Sequence, residues 1–298
     1  MVMSGERAGQ MDGVQELQGE RVHDAATTGA EVQSGAYLLE LTLDWIVLRA
    51  SENIHHLLGE SHVTLIDEPL GRFVHAQALH DLRNLFSRLS GTTGIGRAYG
   101  IRLTDEPDLV DVAFQVSDGR VLLEAVPSTG AFGECFGSVG GLVAGLAGTH
   151  GQALLDNGAR RMRALTGYDR VTLVCGELRA ESSRGPFSAM ASASNDVPVI
   201  VADAEARSVP LFPRNTHESS ASAALMRACK ASVREELNQE GVRACLRISF
   251  AGKGVDGEFR CDSRTPRKPS FELHAAAELF AQMFALRLEL DQLIRAHS

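Results

Sequence analysis

Leu165-Thr166-Gly167-Tyr168-Asp169-Arg170-Val171-Thr172-Leu173-Val174-Cys175 joins the end of a helix to the start of a strand. Upstream of it, Gln152 to Leu165 reads as a helix closed by Gly167, and Arg170–Cys175 follows as a β-rich run. Working outward toward the C-terminus, Pro198–Ala202 is a short strand, and Val209–Pro213 is punctuated by prolines. Ala221 to Gln239 is helical by composition and is stopped by Gly241. Ala244–Phe250 and Gly257–Cys261 make a strand pair, and Phe271 to Ala296 is one long helix. Toward the N-terminus, Gly35–Leu41 and Trp45–Ala50 read as strands around a turn at 42–44. Asn53 to Leu58 is a short helix ending at Gly59, and Leu79, Leu82, Leu85, Phe86 and Leu89 recur at helical spacing within His75–Leu89. Val110–Val116 and Val121–Val126 alternate around Asp118-Gly119, the signature of a hairpin. The pattern is α+β: sheets flanked by helices in two successive units.

A chain of 298 residues has room for two ordinary domains. The hydrophobic fraction of 44% and charged fraction of 22% suit two separate cores. A formal charge of -9 argues against a nucleic-acid partner, because such binding runs on Lys/Arg contacts to phosphate. Arg264-Thr265-Pro266-Arg267-Lys268 is the one basic candidate, and with no aromatic residues interleaved it reads as a solvated loop. Cys135, Cys175, Cys229, Cys245 and Cys261 are scattered and odd in number, which reads as reduced thiols of a cytoplasmic protein. No apolar run reaches the length of a membrane span, and residues 1–30 lack the apolar stretch of a secretory signal. Rich in Gly, Gln, Glu and Thr, those thirty residues read as a flexible lead-in.

Catalytic patterns are weak. Gly94-Ile95-Gly96-Arg97-Ala98-Tyr99-Gly100 has the wrong spacing for a dinucleotide fingerprint and reads as a loop. His55 and His56 are adjacent, so on a helix they diverge by about 100° and suit a surface better than a shared ion. Cys135 stands between glycines without a histidine in a partnering motif. Asp44, Asp67, Asp105, Asp108 and Asp111 are dispersed, and no phosphate loop is present. These residues predict neither an enzyme nor a metal centre.

Five collinear segments resemble the sensory half of bacterial phytochromes. Val32-Gln33-Ser34-Gly35-Ala36-Tyr37-Leu38-Leu39 resembles the opening of that family's PAS domain, and Val47-Leu48-Arg49-Ala50-Ser51-Glu52-Asn53 its "VLQASEN" stretch. Leu165–Val171 resembles the "LTGYDRV" near the start of GAF, Val209–Pro213 the "VPLLP" segment, and Gly241–Leu246 "GVRASL". The resemblance spans residues 32–294 and implies a flexible segment over 1–30, a PAS domain over 31–130 and a GAF domain over 131–298. The chain stops where the family continues into a PHY domain, so neither that domain nor a histidine kinase is expected.

At the bilin-binding positions this sequence departs from the family. The resemblance implies a chromophore-linking Cys ahead of PAS, but the first cysteine here is Cys135. Val233 takes the place of one pocket histidine, and Asp262 or Ser263 that of the other. Asp196, in Asn195-Asp196-Val197-Pro198, is a remnant of the "PASDIP" motif. Ser232 stands where a plant-type attachment Cys would be, with Cys229 one helical turn earlier. A bilin buries propionates and pyrrole N–H groups that need partners, and these substitutions remove them. The reading is a chromophore-free signalling module acting through protein–protein interaction with a partner of unknown identity. It is expected to have no cofactor, nucleic acid or membrane partner. The alternatives are a bilin or tetrapyrrole photoreceptor with an altered pocket, and a GAF-type small-ligand sensor.

Two structural expectations accompany it. Leu279, Met283, Leu286, Leu290 and Leu293 repeat at spacings of four and three, the seam of a parallel homodimer, the alternative being that this stripe packs on the chain's own GAF sheet. The resemblance further implies a figure-of-eight knot, with residues 15–30 passing beneath the 202–228 connection.

Overall fold

The computed structural model describes residues 30–89, 94–130, 133–188, 196–214 and 220–297. The lead-in over 1–29 lies outside these, as does the threading expected of residues 15–29. Twelve strands and seven α-helices run in the order β1 (Glu31–Gln33), β2 (Tyr37–Leu41), β3 (Val47–Ser51), α1 (His55–Leu58), α2 (His62–Leu65), α3 (Ala76–Leu89), β4 (Gly96–Ile101), β5 (Val110–Ser117), β6 (Arg120–Pro127), α4 (Glu134–Ala144), α5 (Gly151–Thr166), β7 (Arg170–Cys175), β8 (Leu178–Ser183), β9 (Ile200–Val201), β10 (Ser208–Phe212), α6 (Ala231–Gln239), β11 (Ala244–Gly252), β12 (Val255–Ser263) and α7 (Phe271–Ala296). They form a seven-stranded sheet, β1-β10-β3-β2-β6-β5-β4, and a five-stranded one, β8-β7-β12-β11-β9, with antiparallel neighbours throughout.

Alternation along the strands explains how the layers stack. In the first sheet, Val112, Phe114, Val121 and Leu123 face one way and pack with Trp45, Ala78 and Leu82. Leu38, Ala113, Leu122 and Val126 face the other way and join a core shared with α5 and α7. In the second sheet, Val171, Leu173, Leu246, Ile248, Phe259 and Cys261 meet Ala159, Met162, Phe280 and Phe284 in that same core. Phe259 and Phe284 pack edge to face at 5.2 Å, and Gly158 makes room for them, since a Cβ there would lie 2.4 Å from the Phe284 ring. The β5–β6 hairpin turns at Asp118 and Gly119, both at positive φ, as two-residue loops require.

The expected strands over 35–50, the hairpin, the helices at 75–89 and 152–165 and the long C-terminal helix are all present. Three readings are corrected. Gly94–Gly100 is not a loop: β4 begins at Gly96, where a Cβ would meet the Phe114 ring at 2.4 Å, so glycine is needed by close packing inside the sheet. The helix expected over 221–239 is confined to Ala231–Gln239. The preceding residues give their backbone groups elsewhere: Gln33 N donates to Met226 O, and Ala228 N donates to Glu31 O. The glycine-rich 134–144 segment, unassigned from sequence, is α4, and β8 was likewise missed.

The basic stretch over 264–268 is an exposed loop, as the sequence reading has it, with two of its side chains anchored on the fold. Arg264 donates to the carbonyls of Arg184 and Pro186, and Arg267 bonds Ser263 Oγ and lies over the Tyr168 ring. Two of the three basic side chains in this loop are therefore tied into the fold, which leaves little for an external anion.

Candidate functional site

The face of the second sheet turned away from α5 and α7 carries Arg170 and Thr172 on β7, Cys245 and Arg247 on β11, and Glu258, Arg260 and Asp262 on β12. Cross-strand partners in an antiparallel pair share a face, and the register pairs Arg170 with Asp262, Arg260 with both Thr172 and Arg247, and Cys245 with Asp262. Asp262 is fully buried and accepts Arg170 Nε at 2.9 Å and Nη2 at 2.7 Å on one oxygen, and Arg260 Nε at 2.9 Å on the other. Glu240, at the end of α6, pairs with Arg260 and lies 3.6 Å from Arg170. Two arginines and two carboxylates thus cancel in charge within one buried cluster, as burial demands.

The cluster is roofed by the chain itself. The Phe187 ring is held between guanidiniums, with Arg264 Cζ 3.8 Å and Arg170 Cζ 4.4 Å from its centroid. Beside it, Val197, Val201, Ala204, Val233, Leu237, Val242 and Cys245 form a small apolar core against which Phe187 and Cys229 pack.

The residues singled out from sequence part company here. Val233 is buried in the small core, and Asp262 lies in the ion-pair cluster. Ser263 is buried too, but its hydroxyl bonds Asp169 and Arg267 at the edge of the sheet. Ser232 is exposed, and Asp196 pairs at the surface with Lys230 at 3.1 Å. Cys229 precedes α6 instead of riding on it, and burial pushes its thiol up to about 11, so it is not a thiolate at neutral pH. Asn195 lies outside the described residues. Sequence reasoning missed Arg170, Arg260, Glu240 and Phe187. Charged residues at alternating positions of a strand, as in Arg260-x-Asp262, were the available signal.

On the opposite side, α7 divides into two faces. Phe271, Ala277, Phe280, Ala281, Phe284 and Leu288 are buried, whereas Leu279, Met283, Leu286, Leu290 and Leu293 are 37–59% exposed. The predicted seam is therefore an uncovered ridge along the helix. Among the described residues, no group of three or more His, Cys, Asp or Glu is placed to hold a metal, and no helix is long and apolar enough to cross a membrane.

The sequence matches no protein-family model and no curated protein. Solved structures do match. The chromophore-binding domain of an unusual bacteriophytochrome from R. palustris superposes with a TM-score of 0.69 at 22% identity, covering 89% of this chain and 96% of that one. A longer structure of the same bacteriophytochrome gives 0.74 at 20%, and there the match covers 60% of its length. The chromophore-binding domain of a Stigmatella aurantiaca bacteriophytochrome, a point mutant in the Pr state, gives 0.71 at 22%, covering 88% of this chain and 95% of that one. The chain has the α+β fold of a bacteriophytochrome chromophore-binding module, PAS followed by GAF.

Proposed function

We propose that this chain is a phytochrome-like signalling module that carries no bilin and acts through protein–protein contacts. One observation carries the reading: the Arg170–Asp262–Arg260–Glu240 cluster, with Phe187 over it and the Val233 core beside it, occupies the sheet face that a GAF ligand would need. Binding a bilin there would displace Phe187 and leave buried charges to be repaired, while supplying no imidazole partner for the pyrrole nitrogens. The module has no catalytic role in this reading and works in the cytoplasm.

The α7 ridge is the contact surface, and a second copy of this chain is its first occupant. Five large apolar side chains at heptad spacing, flanked by Glu278, Arg287, Glu289 and Arg295, suit a parallel pairing of identical helices. The figure-of-eight threading belongs to the same reading. It draws support from β1, which pairs with β10 on one side and bridges from Val32 to Arg227 on the other, so that both flanks belong to the 202–228 connection.

Incubation with biliverdin tests the central claim. Unchanged absorbance of the free pigment is the expected outcome. A red-absorbing adduct that switches between red and far-red light would establish the photoreceptor reading in its place.

A further inference from the structure

α7 carries two buried carboxylates near its opposite ends, and each caps the N-terminus of another helix. Glu272, 4% exposed in the first turn of α7, accepts Gly133 N at 2.9 Å and Cys135 N at 3.2 Å on Oε1, at the start of α4. Asp291, fully buried, accepts Gly151 N at 3.0 Å on Oδ2, at the start of α5, and its Oδ1 lies 2.6 Å from His150 Nδ1. Neither α4 nor α5 has a cap of its own. Gly133 and His150 stand at their N-cap positions, and neither supplies a side-chain bond. The first amides of a helix lack intrahelical partners and carry its positive pole, so a carboxylate from a neighbouring helix answers both needs.

Past Leu288, Asp291 is the only buried residue of α7, so no buried apolar side chain holds the helix's last turns to the protein. Arg287 and Arg295 flank its carboxylate at 3.9 and 3.5 Å, and Arg287 also donates to Thr149 O at 2.7 Å. Between the two ends, the buried face of α7 is built on Ala276, Ala277, Ala281 and Ala285 with Phe280 and Phe284. Such apolar contacts are non-directional, whereas the hydrogen bonds at the ends tolerate displacements of only a few tenths of an ångström.

No glycine or proline interrupts Phe271–Ala296, so α7 moves as one rod. The two carboxylates stand about 28 Å apart along it, and a slide by one residue, about 1.5 Å, would carry both out of reach of their amides. We propose that Glu272 and Asp291 form a two-point lock, which fixes the setting of α7 against α4 and α5 and uncaps both helices together when α7 shifts. The lock belongs to the single chain. Its use as a relay, by which contact at the Leu279–Leu293 ridge reaches the N-termini of α4 and α5, rests on the reading of that ridge as the contact surface.

Amide hydrogen exchange of the full chain tests the coupling, with Leu173 in the middle of β7 as the reference for global unfolding. Asp291→Asn is expected to lower protection roughly tenfold at Gly151 and, at the far end, several-fold at Gly133 and Cys135, in excess of any change at Leu173. Glu272→Gln is expected to give the mirror image. Loss confined to the end that carries the substitution would overturn the lock and leave two independent caps. Should either variant not fold, Asp291→Glu and Glu272→Asp, which keep the charge and change the reach by one methylene, are read in the same way. Repeating the measurement with Leu286→Glu and Leu290→Glu added separates the lock from the ridge. Coupling that persists in the monomer supports the lock, and coupling that vanishes with the dimer overturns it.

Discussion

At the scale of single residues, Asp262 shows how one position can be legible in identity and illegible in role. The sequence resemblance offers it, or Ser263, as the place of a family histidine, but gives no hint that its two oxygens bind Arg170 and Arg260. Once those arginines are buried, the carboxylate cannot be removed cheaply. Asp262→Ala leaves two guanidiniums with Glu240 alone, and is expected to lower unfolding free energy by about 3–5 kcal/mol in chemical denaturation. Returning histidines with Val233→His and Asp262→His is expected to lower stability without gaining biliverdin absorbance, because Arg170, Glu240 and Phe187 remain in the way. Recovery of pigment binding by those two substitutions would mean that the cluster is no obstacle.

At the scale of elements, α7 was read well because a long amphipathic repeat depends little on its surroundings. The apolar positions fall into two sets, and the sequence alone left open which set faced the protein. The structure buries Phe280, Phe284 and Leu288 and leaves Leu286 and Leu290 at 56% and 52% exposure. Light scattering at micromolar concentration is expected to give a dimer, and Leu286→Glu with Leu290→Glu a monomer. Because both side chains are exposed in the single chain, the double variant should keep its helical content, with a stability change of about 1 kcal/mol or less per site for the isolated protomer. A monomeric native chain, or a dimer indifferent to the pair, would remove the interface. Among the misread elements, β4 was missed because Gly96 looks like a breaker, and only the Phe114 and Leu89 side chains packed against it make glycine useful there.

For the molecule as a whole, two buried titrating groups join the first sheet to the C-terminal half of the chain with opposite pH signs. His274 on α7 accepts from Arg97 on β4, and burial, aided by Arg97, holds it neutral down to about 3. The unfolded chain takes up that proton near 6.5, so the histidine makes stability rise with pH between 3 and 6.5. Glu124 does the reverse: the folded chain holds its proton, and stability falls from pH 4.5 to 7. Between 4.5 and 6.5 the slopes oppose, each at about 1.4 kcal/mol per unit at full strength. Glu124→Gln is therefore expected to show stability climbing more steeply with pH across that range in urea melts than the native chain does. Parallel profiles for the two proteins would show that the carboxyl titrates normally.

The division between what was readable and what was not follows the range of the forces involved. Periodicity, turn residues and caps act over a few positions, and they determined the strands, the hairpin at Asp118-Gly119, the helix end at Gly167 and the course of α7. Collinear segments then pointed to the PAS and GAF order. Contacts between residues far apart in the chain decided the rest. The 220–230 stretch lost its helix because β1 and Glu124 offered its amides and carbonyls better partners. The outer face of the second sheet filled because strands far apart in the chain brought Arg170 opposite Asp262, 92 residues away. Burial then did what no local pattern specifies: it set which charges had to be paired, and gave both Glu124 oxygens to backbone amides.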